Sequence, residues 1–131
     1  MDKKIKIALA QLNPLVGDVF GNVKKLISVR SRLDSDVDVL VVPELYISGY
    51  PIDDLVLRED FLSLVESEIK KLVEITKDGK SAIIFGAPRK DKAVIKNSVY
   101  VIEDGRIVAI RDKYELPNRS EEHTSELQSP M

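Results

Sequence analysis

Apolar and polar positions change period several times along this chain, and the changes mark out its elements. Ile5-Lys6-Ile7-Ala8-Leu9-Ala10 is short, largely apolar and partly alternating, which predicts a strand ended by Asn13-Pro14 and Gly17. Asn22 is suited to cap a helix whose apolar residues Val23, Leu26, Ile27 and Leu33 mostly recur at spacings of three and four. Val39-Leu40-Val41-Val42 has no polar interruption and predicts a strand buried on both faces, as in a parallel sheet covered by helices. A second helix is predicted over 59–77, with Phe61, Val65, Ile69, Leu72 and Val73 along one face. Lys77 falls in its last turn and Gly79 at its C-terminal end. Ala82-Ile83-Ile84-Phe85 predicts a third strand, stopped by Gly86 and Pro88. Residues 98–103 and 106–111 flank Asp104-Gly105, a strong hairpin signal. The order strand-helix-strand-helix-strand-hairpin predicts an α/β domain.

Composition narrows the chemistry. With 131 residues, 44% apolar and 32% charged, the chain suits one small globular domain and neither a disordered nor a fibrous one. No apolar run approaches the roughly 20 residues of a membrane span. The stretch after Lys3-Lys4 is short and broken by Gln11 and Asn13, so it is expected to be a strand and not a signal peptide. A net charge of −2 argues against a dedicated nucleic-acid surface. No membrane or nucleic-acid partner is therefore expected. The 131 residues contain no Cys and a single His, His123. Disulfides, thiolate metal sites, thiol nucleophiles, Ser-His-Asp catalysis and ordinary zinc sites are thus excluded for the chain as written. Chemistry in residues 1–118 falls to Glu, Asp, Lys, Tyr or Ser.

Residues 119–131 break the pattern: they are polar, lack periodicity and carry one Arg, three Glu and the sole His. The run Arg119-Ser120-Glu121-Glu122-His123-Thr124-Ser125-Glu126-Leu127-Gln128 resembles an in-frame translation of a sequencing-library adapter. We expect a domain over 1–118 and a non-native or disordered tail over 119–131.

Most polar clusters have plain readings. Asp34-Ser35-Asp36-Val37-Asp38 alternates carboxylates as a calcium loop does, but Val39 and Leu45 stand where such a loop needs Gly and Glu, so a solvated turn is expected. Ser48-Gly49 lacks the Gly that precedes the serine in a nucleophile elbow, and no His is at hand to activate Ser48. Arg89, Lys90 and Lys92 beside Asp91 are expected to form a solvated loop face. Glu44 differs. It follows the predicted buried strand and Pro43, and ligands of open α/β sheets gather beyond the carboxyl ends of strands, where a partly desolvated carboxylate can serve as a base. Lys113 lies just past the end of another predicted strand.

Taken together, these segments resemble a known family. Pro43-Glu44-Leu45-Tyr46-Ile47-Ser48-Gly49-Tyr50-Pro51, with Asp53-Asp54-Leu55, is similar to the glutamate motif of the nitrilase, or carbon-nitrogen hydrolase, superfamily. Lys113-Tyr114-Glu115-Leu116-Pro117-Asn118 resembles its lysine motif, and Ala10-Gln11-Leu12-Asn13-Pro14 with Gly17-Asp18 and Asn22 its opening. The details around Tyr50-Pro51 and Leu116-Pro117-Asn118 look most like the N-terminal glutaminase branch found in glutamine-dependent NAD synthetases. The resemblance spans residues 4–118.

It implies the N-terminal part of a four-layer α-β-β-α sandwich, incomplete here. It also implies catalysis by Glu, Lys and Cys, with Glu44 as general base, Lys113 stabilising thiolate and oxyanion, and the Cys attacking the glutamine amide. Tyr50 matches a substrate-side position. The nucleophilic Cys, which in the family follows the lysine motif, is absent, so this chain alone is expected to be inactive. No cofactor is expected in the fragment. ATP, Mg and deamido-NAD are implied for a synthetase domain of the full-length chain, in a cytoplasmic homo-oligomer. Alternatives are a fragment of a stand-alone amidase of the same superfamily and a non-enzymatic α/β interaction module. Unpaired sheet edges and an uncovered apolar face are also expected, with poor solubility as their consequence.

Overall fold

The structure, a computed structural model, describes residues 4–49 and 59–115. In chain order they form β1 (Ile7–Leu9), α1 (Val19–Ser31), β2 (Val39–Val41), α2 (Glu59–Ile75), β3 (Ala82–Asp91), β4 (Val94–Glu103) and β5 (Arg106–Glu115). A 3-10 turn over Thr76–Asp78 extends α2, and Gly79 closes it with φ 74°. The strands make one sheet in the order β1-β2-β3-β4-β5, the first two pairings parallel and the last two antiparallel. This is the α/β order that the hydrophobic pattern predicts.

Both helices contribute to one apolar core. Val19, Val23 and Leu26 of α1 and Phe61, Val65, Ile69 and Leu72 of α2 meet Leu40, Ile83, Phe85, Tyr100 and Ile102 of the sheet. Phe85 and Tyr100, directly opposed across β3 and β4, stack with centroids 5.1 Å apart. Removing each such side chain from water contributes roughly 1.5–3 kcal/mol. On β1, Ile7 and Leu9 are instead 54% and 77% exposed. The described residues therefore form one helical layer and one sheet layer, as the expected partial sandwich requires.

Several expectations need correction. The α1 cap is Asp18, whose Oδ1 accepts from the Gly21 amide at 3.0 Å, while Asn22 lies inside the helix and is buried. Both are good capping types; tertiary demand takes Asn22 for another task, described below. β1 covers only 7–9 of the predicted 5–10, because only three residues find partners on β2. Leu40 of β2 is buried but Val39 and Val41 are only partly buried, so this strand is not fully covered on both faces. β3 does not stop at Gly86 or Pro88 but runs to Asp91. The carbonyls of Ile84 and Gly86 accept from Val42 and Ile47, on the edge away from β4. Pro88 keeps that parity, so its missing N–H faces away from the β4 ladder and costs it nothing. β4 starts at Val94, giving a second hairpin, between β3 and β4 through Lys92-Ala93. Arg89 and Lys90 are thus strand residues and not loop residues. β5 extends to Glu115, which places Lys113 within a strand and not beyond its end.

Candidate active site at the Glu44–Lys113 pair

After β2 the chain keeps to the edge of β3. Val42 donates to the Ile84 carbonyl at 3.0 Å and Ile47 to that of Gly86 at 3.2 Å. Between them the backbone makes a tight turn, closed by Tyr46 N to Pro43 O at 3.2 Å and Gly49 N to Leu45 O at 2.8 Å, with Leu45 at φ 50°. The turn sits so close to the sheet that a Cβ on Gly86 would lie 2.4 Å from the Leu45 amide nitrogen and 3.1 Å from the Glu44 backbone. Gly86 is the residue that lets Glu44 approach β3.

The turn is also held from α1. The Asn22 amide donates to the carbonyls of Leu15 and Ile47, at 2.9 and 3.0 Å, and accepts from Leu15 N. Buried Tyr46 donates its hydroxyl to the Asn22 carbonyl at 2.9 Å, and burial pushes its pKa up to about 12. Asn22 thus joins the loop before α1 to the turn that carries Glu44.

Lys113 arrives by another device. Asp112 pairs with Ser98 and Tyr114 with Asn97, so the ladder between β4 and β5 shifts register there and leaves Lys113 as an extra residue. Such a bulge re-aims a side chain. Lys113 Nζ donates to Glu44 Oε1 at 2.5 Å, joining residues sixty-nine apart. Both side chains are about two-fifths exposed, 40% and 39%. Next to the bulge, Asp112 accepts from Ser98 Oγ at 2.6 Å and from Arg89 Nη2 at 2.9 and 3.0 Å, with Lys96 at 3.4 Å. The Ser98 hydrogen bond, aided by Arg89 and Lys96 against some burial, holds the Asp112 pKa below its ordinary value. Asn97 is buried, and its side-chain amide has no hydrogen-bond partner among the described residues.

The structure therefore brings together two of the residues singled out from sequence, Glu44 and Lys113. Tyr50 lies outside the described residues, as do residues 51–55, Leu116-Pro117-Asn118, the end of the expected 1–118 domain and the 119–131 tail. Ser48 is buried and bonded to backbone carbonyls. Asp36 and Asp38 are engaged by Lys6, and Lys90 by Glu59. Sequence reasoning missed Gly86, Ser98 and Asp112. The only signal for the first was a glycine within an apolar run, which by itself reads as a stop. Among the described residues there is no group of three His, Cys, Asp or Glu able to hold a metal, and no helix is long and apolar enough to cross a membrane. A cleft of about 320 Å³ between α2 and the β3–β4 hairpin, lined by Leu62, Pro88, Arg89 and Tyr100 among others, does not include the pair.

A carboxylate and an ammonium held in contact at the rim of a sheet offer a proton acceptor beside an anion-stabilising cation. They offer no nucleophile.

A glutamine-dependent NAD(+) synthetase of Thermotoga maritima is 38% identical over 117 residues, covering 88% of this chain and 20% of that protein. That of Aquifex aeolicus is 34% identical over 116 residues, again 88% and 20%. The chain thus spans about a fifth of the length of these curated relatives. Among solved structures, a glutamine-dependent NAD+ synthetase from Acinetobacter baumannii superposes with a TM-score of 0.79 at 29% identity, over 91% of this chain and 23% of that one. An amidase from Nesterenkonia sp. shares the fold, with a TM-score of 0.71 at 19% identity over 90% and 46%. The family model for carbon-nitrogen hydrolases matches residues 6–130, nearly the whole sequence and including positions set apart above as a tail. With that match, this chain belongs to the carbon-nitrogen hydrolase family.

Proposed function

We propose that this chain is the front part of the glutaminase domain of a glutamine-dependent NAD synthetase. The domain would hydrolyse the side-chain amide of glutamine and supply ammonia for the amidation of deamido-NAD. The observation that carries the reading is the Glu44–Lys113 contact, formed by the two segments that resemble the family's glutamate and lysine motifs. The similarity to NAD synthetases across 88% of the chain supports this choice of branch over a stand-alone amidase.

In this reading Glu44 takes the proton of a thiol, and Lys113 stabilises first the thiolate and then the oxyanion of the tetrahedral intermediate. A thiol with an ordinary pKa of about 8.5 is mostly protonated at neutral pH, so a base and a cation beside it raise its reactive fraction. Tyr50, outside the described residues, matches a family position on the substrate side. The thiol itself is not among these 131 residues.

In this reading the described residues hold neither ATP, Mg nor deamido-NAD. The described residues include no group of three carboxylates able to hold a metal, and Arg89, Lys90 and Lys96 on the two strands of the β3–β4 hairpin are engaged by Asp112, Glu59 and Asp91. These molecules belong, in this reading, to a synthetase domain elsewhere in the full-length chain, a cytoplasmic homo-oligomer.

The test is ammonia release from glutamine. The full-length gene product is expected to release it, with Glu44→Ala and Lys113→Ala each lowering kcat by roughly 10²–10⁴-fold. The 131-residue chain is expected to release none above its own Glu44→Ala control. Release by this chain above that control, or full activity in the full-length Glu44→Ala variant, overturns the reading.

A further inference from the structure

Asp112 and Lys113 are neighbours on β5 with different tasks. Asp112 is fixed: it accepts a 2.6 Å hydrogen bond from Ser98 and a two-oxygen contact from Arg89, while Lys96 approaches to 3.4 Å. Three residues from two strands, β3 and β4, thus hold one carboxylate. The next residue is the one the ladder skips, since pairing resumes only at Tyr114 with Asn97. A bulge leaves its extra residue without a ladder position of its own, so its direction depends on what fixes its neighbours. Arg89 donates from one nitrogen, Nη2, to both oxygens of Asp112, and charge-assisted contacts of this kind are stronger than neutral ones.

We propose that Asp112, clamped by Ser98, Arg89 and Lys96, is the positioning residue that sets the bulge and so aims Lys113 at Glu44. The inference rests on the reading of Glu44 and Lys113 as the working pair. Asp112 itself does not touch that pair's ion contact; it acts through the backbone one residue away.

Removing the Asp112 charge also alters the local field at Lys113, so a simple change in the lysine's titration is not diagnostic. Coupling is. In the 131-residue chain carrying ¹³C-lysine, the titration of Lys113 is followed by NMR with and without Glu44→Gln, first with Asp112 in place and then in Asp112→Ala. Glu44→Gln is expected to shift the Lys113 midpoint downward when Asp112 is present. In Asp112→Ala that shift is expected to fall by more than half, because the ammonium no longer points at residue 44. Asp112→Asn, which keeps acceptors for Ser98 and Arg89, is expected to restore most of it. Asp91→Asn, which removes a carboxylate from the same basic cluster without touching the bulge, is expected to leave it intact. Ser98→Ala removes one clamp with little change in volume and is expected to reduce the shift partway, which keeps the test decisive where Asp112→Ala fails to fold. An unchanged Glu44→Gln shift in folded Asp112→Ala or Ser98→Ala overturns the proposal. No Glu44→Gln shift even with Asp112 in place overturns the underlying pair instead.

Discussion

Single atoms decide how near Glu44 comes to the sheet. The hydrogen in place of a side chain at Gly86 leaves room for the backbone of Glu44 and Leu45, and a methyl there would stand 2.4 Å from a nitrogen that is not at the end of any flexible group. Gly86→Ala is therefore expected to push the 44–48 turn off β3 and to destabilise the chain by roughly 1–3 kcal/mol, the usual range for overpacking. The urea unfolding midpoint checks this, and an unchanged midpoint contradicts the close approach. By contrast the Glu44–Lys113 contact is partly exposed, and such pairs contribute only about 0–1 kcal/mol. The two effects separate the architecture of the site from its chemistry. Glu44 was legible in the sequence as a strand-end carboxylate; Gly86 was not, because the atoms it accommodates belong to Glu44 and Leu45, distant in the sequence.

At the scale of elements, the two hairpins show why one was legible and the other was not. The β4–β5 turn carries Asp104-Gly105, both at positive φ, with types that tolerate it. The Gly105 amide also donates to Thr76 Oγ1 at 2.8 Å, fastening the turn to the end of α2. The β3–β4 turn places Lys92 at φ 60°, a conformation a long side chain adopts only against a cost of about 1–2 kcal/mol. No turn signal marks it, while Gly86 and Pro88 read as stops and ended the predicted β3 too early. Lys92→Asn is expected to raise stability by roughly 0.5–1 kcal/mol, since Asn visits that region readily. Thermal unfolding of the two proteins side by side checks it, and a lower melting temperature for the variant would count against strain at Lys92.

For the molecule as a whole, the helices cover one side of the sheet while Ile5, Ile7 and Leu9 stand 69%, 54% and 77% exposed along its edge strand. An edge strand with an apolar row invites pairing with another chain. Concentration-dependent self-association is expected, and Leu9→Lys is expected to raise the soluble concentration severalfold without changing the circular dichroism. Sedimentation velocity over a range of concentrations checks it; a wild-type chain that stays monomeric at high concentration would refute the expectation.

What the sequence determined by itself was the local and the chemical: the order of strands and helices, set by hydrophobic period, and the identity of the two charged residues worth pairing, set by the motifs around them that resemble the family's. The absence of cysteine was plain there too. What only the tertiary structure decided was how far each strand runs, which capping residue caps, and where Lys113 points. Those depend on partners far away in the chain: the β4 ladder that carries β3 past Pro88, the Ile47 carbonyl that claims Asn22, and the register shift opposite Asn97 that turns an ordinary strand lysine toward Glu44.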